Sequence, residues 1–142
     1  MFAEKIFSGH EFDYIARLFF CLLAGFLIGS EREMRGKSAG ISTHSYVIAG
    51  SMTFSFVSIL ADPNSPARIA AQVVSGVGFL GAGIILKREE GRVVNLTTAA
   101  SIWFSSSIGM AIGFGWYVIS LFAILFAVLV PRIPHITEKP SS

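Results

Sequence analysis

Charge is what this sequence has least of. Only 14% of its 142 residues are Asp, Glu, Lys or Arg, whereas a soluble domain carries about 25%. That deficit leaves too little polar surface to face water and argues against a soluble enzyme. Cysteine is scarcer still. The lone Cys21 has no second thiol in the chain, which excludes an intrachain disulfide and removes any basis for a cysteine-built zinc site. The formal net charge is only +2, so bulk charge gives no reason to expect nucleic acid as a partner. The three histidines, His10, His44 and His135, stand apart, and none has a nucleophile and an orienting acid beside it in sequence. Hydrolase chemistry is therefore not expected, and the chain reads as a non-enzyme without a cofactor. Magnesium favours six oxygen ligands in octahedral geometry. Glu31 and Glu33 are two residues apart and diverge on a helix, and Asp62 belongs to the other side of the membrane, so spacing does not support a dedicated magnesium site.

What the chain does have is long apolar runs. Hydrophobic residues make up 53% of it, and the charges gather in short segments separated by nearly charge-free intervals that approach the ~20 residues a spanning helix needs. The pattern predicts an all-α membrane protein, a single domain over residues 1–142 with about five spans near residues 12–29, 43–61, 66–86, 96–113 and 116–130. Lys5 before the first run resembles the start of a secretory signal, but Glu4, Glu11 and Asp13 surround it and no clear cleavage pattern follows, so the run is read as a retained anchor. Asp62-Pro63-Asn64-Ser65-Pro66 forces a turn, with Ser65 placed to cap the third helix. Gly113-Phe114-Gly115 ends the fourth, and Trp116-Tyr117 falls where interfacial aromatics are enriched.

Lys and Arg favour the cytoplasmic side. Arg32, Arg35, Lys37, Lys87, Arg88, Arg92, Arg132 and Lys139 fall on one side and Lys5, Arg17 and Arg68 on the other. This predicts a multi-pass membrane protein with its N-terminus outside and both connectors and the C-terminus in the cytoplasm. The lipid bilayer is the first partner implied.

Small residues at helical spacing let helices approach closely in lipid. Gly25 and Gly29 in the first span and Gly109 and Gly113 in the fourth fit this pattern. The third span carries Ala67, Ala71, Ser75, Gly76, Gly78, Gly81, Ala82 and Gly83, and is expected to form the packed centre of the bundle. Polar residues within spans are costly and attract functional interest. Arg17 is expected to snorkel to the near interface. Arg68, followed by Gln72 and Ser75, makes a polar stripe that Asp62 could join through an ion pair. On the other side Glu31 and Arg35 are spaced for a helical ion pair. With Arg32, Lys37, Lys87, Arg88 and Arg92 they form a basic ring suited to anionic lipid, a partner or a phosphate-bearing ligand. Thr97, Thr98, Ser101, Ser105, Ser106 and Ser107 place hydroxyls along the fourth span, where helix packing is their default use.

Three blocks resemble the MgtC/SapB family of membrane proteins. They are Gly29-Ser30-Glu31-Arg32-Glu33 with Arg35 to His44, the long run from Pro66 to Gly83, and Leu96-Thr97-Thr98-Ala99-Ala100-Ser101-Ile102-Trp103. The resemblance implies an integral inner-membrane protein of bacteria associated with growth at low magnesium and, in pathogens, with survival inside host cells. It further implies a regulator of another membrane machine, the F-type ATP synthase being the partner usually discussed. Larger relatives add a soluble cytoplasmic domain of the ACT type, and Thr97 stands where some relatives have Asn. The leading expectation is a non-enzymatic regulator that contacts another membrane protein, with self-association as a further option. The rival is a transporter or channel for magnesium or another small ion, with Arg68, Gln72 and Ser75 opening a polar path between spans one, three and four.

Overall fold

The structure is a computed structural model that describes residues 7–87 and 93–134. Glu4, Lys5, Arg88, Arg92, His135 and Lys139, all used in the sequence reading, lie outside the described residues. Five helices run back and forth: α1 (Glu11–Met34), α2 (Ile41–Ala61), α3 (Ala67–Ile84), α4 (Leu96–Gly113) and α5 (Tyr117–Leu129), the last followed by a single 3-10 turn, Val130–Arg132. Strands β1 (Leu86–Lys87) and β2 (Val93–Val94) pair antiparallel across the second connector. The molecule is an all-α membrane bundle. Helices α1, α2 and α3 are long and apolar enough to cross a membrane. The 13 residues of α5 reach only ~20 Å at 1.5 Å per residue, short of a ~30 Å hydrocarbon core. Both connectors lie at one end of the bundle, called here the connector end. The N-terminus of α1, the α2–α3 turn and the α4–α5 turn lie at the far end.

Two glycines fix where helices stop. After α1, Gly36 adopts φ +63, the Lys37 amide donates to the Arg32 carbonyl and the Gly36 amide to that of Glu33. This is the paired C-terminal bonding that a left-handed glycine allows. Gly115, at φ +79, ends α4 in the same way, with Trp116 bonding to Ala111 and Gly115 to Ile112. At the start of α3 Pro66 occupies the cap position and no side chain caps the helix, so the expected Ser65 cap does not form.

The expected central place of α3 is overturned, because the centre is α2. One core cluster joins Cys21, Ala24 and Ile28 of α1 to Ile48, Met52 and Phe56 of α2 and to Ile108 and Ile112 of α4. Each set is spaced three or four apart and so shares a helix face. Glycine makes both seams close. A Cβ added at Gly25 would fall on Ser45, at Gly29 on the Ile41 and Gly40 backbone, at Gly109 on the Ile48 carbonyl, and at Gly113 within 2.6 Å of Ser55 Cβ.

In α3 the small-residue stripe Ala67, Ala71, Ser75, Gly78 and Ala82 is exposed. The buried stripe is Ala70, Val73, Val77 and Gly81, which joins Ala39 and Ile102. Gly76, Gly78 and Gly83 have open space where a side chain would go, and Gly81 only touches Ala99 at 3.8 Å. Valines on the inward face hold the α3 backbone off its neighbours, so among the described residues Gly76, Gly78 and Gly83 make no close approach to another helix.

Candidate functional site

The apolar stripe of α1 does not stop at the first charges. Cys21, Ala24, Ile28 and Arg32 continue one face at steps of three and four, and the helix runs on to Met34 rather than ending near Gly29. Arg32 is thereby carried into the protein and is 2% exposed. It is not part of a solvated basic ring, which corrects the sequence reading. Its Nη2 donates to Thr98 Oγ1 at 2.7 Å, while its buried Nε has no acceptor among the described residues. A buried guanidinium facing one neutral hydroxyl is costly, since only a counter-charge and a full set of acceptors offset its lost hydration.

Around it the connector end is ordered by polar bonds. Glu31, 4% exposed, accepts from Arg35 Nε in the expected i, i+4 ion pair. Glu33 turns the other way, and its Oε1 accepts from the Ile41 amide at 2.9 Å. A carboxylate thus sits at the first turn of α2, where free amides and the helix dipole favour negative charge. His44 is fully buried. Its Nδ1 lies 2.9 Å from the Gly40 carbonyl, which can only accept, so that nitrogen carries the proton. Its Nε2 is 3.4 Å from Ser101 Oγ. The Ser101 hydroxyl already donates to the Thr98 carbonyl at 2.8 Å, so this last contact is loose. Arg32, Thr98, Ser101 and His44 therefore tie α1, α4 and α2 together at one level.

Glu33→Ala removes the carboxylate from the start of α2. The expected loss is about 1 kcal/mol, the usual cost of deleting a helix cap, read as a lower unfolding midpoint in detergent. No shift would show that the Ile41 amide is equally well served by water.

Of the sequence candidates, Glu31, Arg32, Arg35 and Thr98 come together, and Thr97 is exposed beside them. Asp62, Arg68, Gln72 and Ser75 lie elsewhere. Arg68, Gln72 and Ser75 face outward, and among the described residues Arg68 makes no ion pair with Asp62. They do not open a path between α1, α3 and α4, because α3 packs on α2 and α4 instead. Gln72 lines a groove of about 490 Å³ between α2 and α3, together with Tyr46, Gly50, Phe54, Ile69 and Gly76.

Arg17 also departs from expectation. Instead of snorkelling it points inward, its Nη1 donating at 2.8 Å to the carbonyls of Ile112 and Gly113, its Nε and Nη2 bound to Asp13 and its guanidinium 4.9 Å from the Phe56 ring centre. The roles of His44, Ser101 and Glu33 were not read from the sequence. The signal for His44 was there: His44, Ile48, Ser51 and Ser55 repeat at steps of three and four along the buried face of α2. Among the described residues no three of His, Cys, Asp and Glu gather closely enough to hold a metal ion.

Fold and site together define a multi-helix integral membrane protein with a buried polar cluster at the connector end. The chain belongs to the MgtC family, whose profile matches residues 18–139. It is 46% identical to a protein named putative magnesium transporter YhiD from Escherichia coli (strain K12), over 87% of this chain and 61% of that protein. It is 47% identical to Protein MgtC of Salmonella typhimurium (strain LT2), over 75% of this chain and 46% of the relative. Protein MgtC of Brucella abortus is 49% identical over 66% of this chain and 39% of its own length. The chain thus spans less than two thirds of each of these relatives. No solved structure matches it.

Proposed function

We propose that the protein is a non-enzymatic regulator of another protein of the bacterial inner membrane, acting in adaptation to scarce magnesium, with its connector end in the cytoplasm and its N-terminus outside. The observation that carries this reading is the unused face of α3. Ala67, Ala71, Ser75, Gly78 and Ala82 are exposed along it, Gly78 has open space around it, and small residues are what allow a helix of another protein to come close in lipid. The F-type ATP synthase is the machine the family resemblance implies.

Crosslinked membranes test this. Gly78→Leu is expected to leave the bundle at least as stable as the wild type, since the position has open space and leucine favours a helix over glycine, yet to abolish co-purification of ATP synthase membrane subunits. Recovery of those subunits unchanged with Gly78→Leu would remove α3 as the contact.

The transport reading is favoured by the printed name of the Escherichia coli relative and by Gln72 in the wall of the α2–α3 groove. Magnesium flux into proteoliposomes that is lost in Gln72→Leu would decide for transport over regulation.

A further inference from the structure

Two helices begin at the connector end, and they are treated oppositely. The first turn of α2 receives the Glu33 carboxylate. The first turn of α4 receives a cation instead, the Arg32 guanidinium bound to Thr98 Oγ1. Like signs meet there, because a helix N-terminus carries a partial positive charge from its free amides. The first bond of α4 is from the Ala99 amide to the Asn95 carbonyl, and among the described residues the amides of Thr97 and Thr98 find no backbone acceptor. Among the described residues Arg32 Nε, fully enclosed, has no acceptor either. Glu31 lies near enough for its charge to act on the guanidinium, but it makes no ion pair with Arg32, and its carboxylate is bonded by Arg35 instead. His44 and Ser101 complete the surroundings with one loose contact between them.

We propose that Arg32 and the first turn of α4 form a binding site for a phosphate group, presented either as free inorganic phosphate or as the headgroup of an anionic phospholipid. Donors from two elements lie together there: the Arg32 guanidinium, bonded through Nη2 to the Thr98 hydroxyl, and the first-turn amides of α4 that follow on from Asn95. A tetrahedral oxyanion offers acceptors in as many directions, and a doubly charged or diester phosphate cancels both the buried cation and the helix end. Exposed Arg35 and Lys37 beside the site add a local field that draws anions toward it. The site is independent of the regulator reading and would stand if that reading fell.

The full chain, purified in a neutral detergent, is titrated with sodium phosphate against sodium chloride at matched ionic strength while its unfolding temperature is followed. In parallel, native mass spectrometry is run on protein extracted from nanodiscs containing phosphatidylglycerol in phosphatidylcholine. A saturable rise with phosphate in the wild type, with apparent affinity weakened about tenfold or more in Arg32→Gln and Thr98→Val, assigns free phosphate; losing one good charged hydrogen bond costs about that factor. Phosphatidylglycerol retained by the wild type and shed by both variants assigns a lipid headgroup. Thr98→Val keeps the charge and nearly the same volume, so a folding defect confined to Arg32→Gln leaves the comparison intact. Neither phosphate response nor lipid retention in the wild type, or equal binding by wild type and Thr98→Val, overturns the proposal.

Discussion

Gly109→Ala is expected to destabilise the bundle by about 3 kcal/mol or more, at or beyond the upper end of ordinary overpacking. The added Cβ would fall on the Ile48 carbonyl and within 2.8 Å of Ser51 Cβ. A backbone carbonyl inside a helix cannot swing aside as a long side chain can, so α2 and α4 must separate along their whole seam. Because α2 also carries α1 through Gly25 and Gly29, separation disturbs the central cluster of Ile48, Met52, Ile108 and Ile112. Helix propensity works the other way, since alanine is favoured over glycine in a helix by ~1 kcal/mol, so a net loss isolates the clash. Gly76→Ala supplies the control: with open space at that position only the propensity gain remains. Thermal unfolding of both variants in the same detergent checks the pair, and equal midpoints for the two would refute the close α2–α4 seam.

Arg17→Met is expected to cost about 2 kcal/mol, and the reason lies at the end of α4. The last carbonyls of a helix lack intrahelical donors and carry partial negative charge. Arg17 meets two of them at 2.8 Å, that of Gly113 and that of Ile112, which also accepts from the Gly115 amide, and hydrogen bonds to a charged group contribute about 1.5–3 kcal/mol where neutral ones contribute less. The ion pair with Asp13 adds little by comparison, because that carboxylate is 45% exposed and solvent screens it. Asp13→Asn should accordingly cost under ~1 kcal/mol, and the double variant should lose scarcely more than Arg17→Met alone. If Asp13→Asn proved as damaging as Arg17→Met, the carbonyl contacts would not be what Arg17 contributes.

The helices were legible because apolar run length and glycine punctuation are local signals. Residues 96–113 were expected for the fourth helix and Leu96–Gly113 is what forms. The end of α1 was misread for an instructive reason. Glu31, Arg32 and Glu33 look like a loop when charge is taken to mean exposure, yet Arg32 keeps the helical phase of Cys21 and Ile28 and follows them inward. In α3 the small-residue period was real but the inward face lay one position away, on Ala70, Val73, Val77 and Gly81. Composition alone does not tell which of two adjacent stripes a neighbour will choose. At the site, Glu31 with Arg35 was visible as a spacing rule. Arg32 with Thr98, 66 residues apart, and His44 with Ser101, 57 apart, depend on how α1, α2 and α4 meet, which no local pattern specifies.

The reach of Arg17 also sets an order of assembly. Its acceptors on Ile112 and Gly113 are 95 and 96 residues downstream, so when α1 first enters the bilayer they have not been synthesised. Until then Asp13, four residues before it on the same helix, is the partner the chain already holds. With α4 in place the guanidinium joins the first helix to the fourth, so this clasp belongs only to the finished bundle.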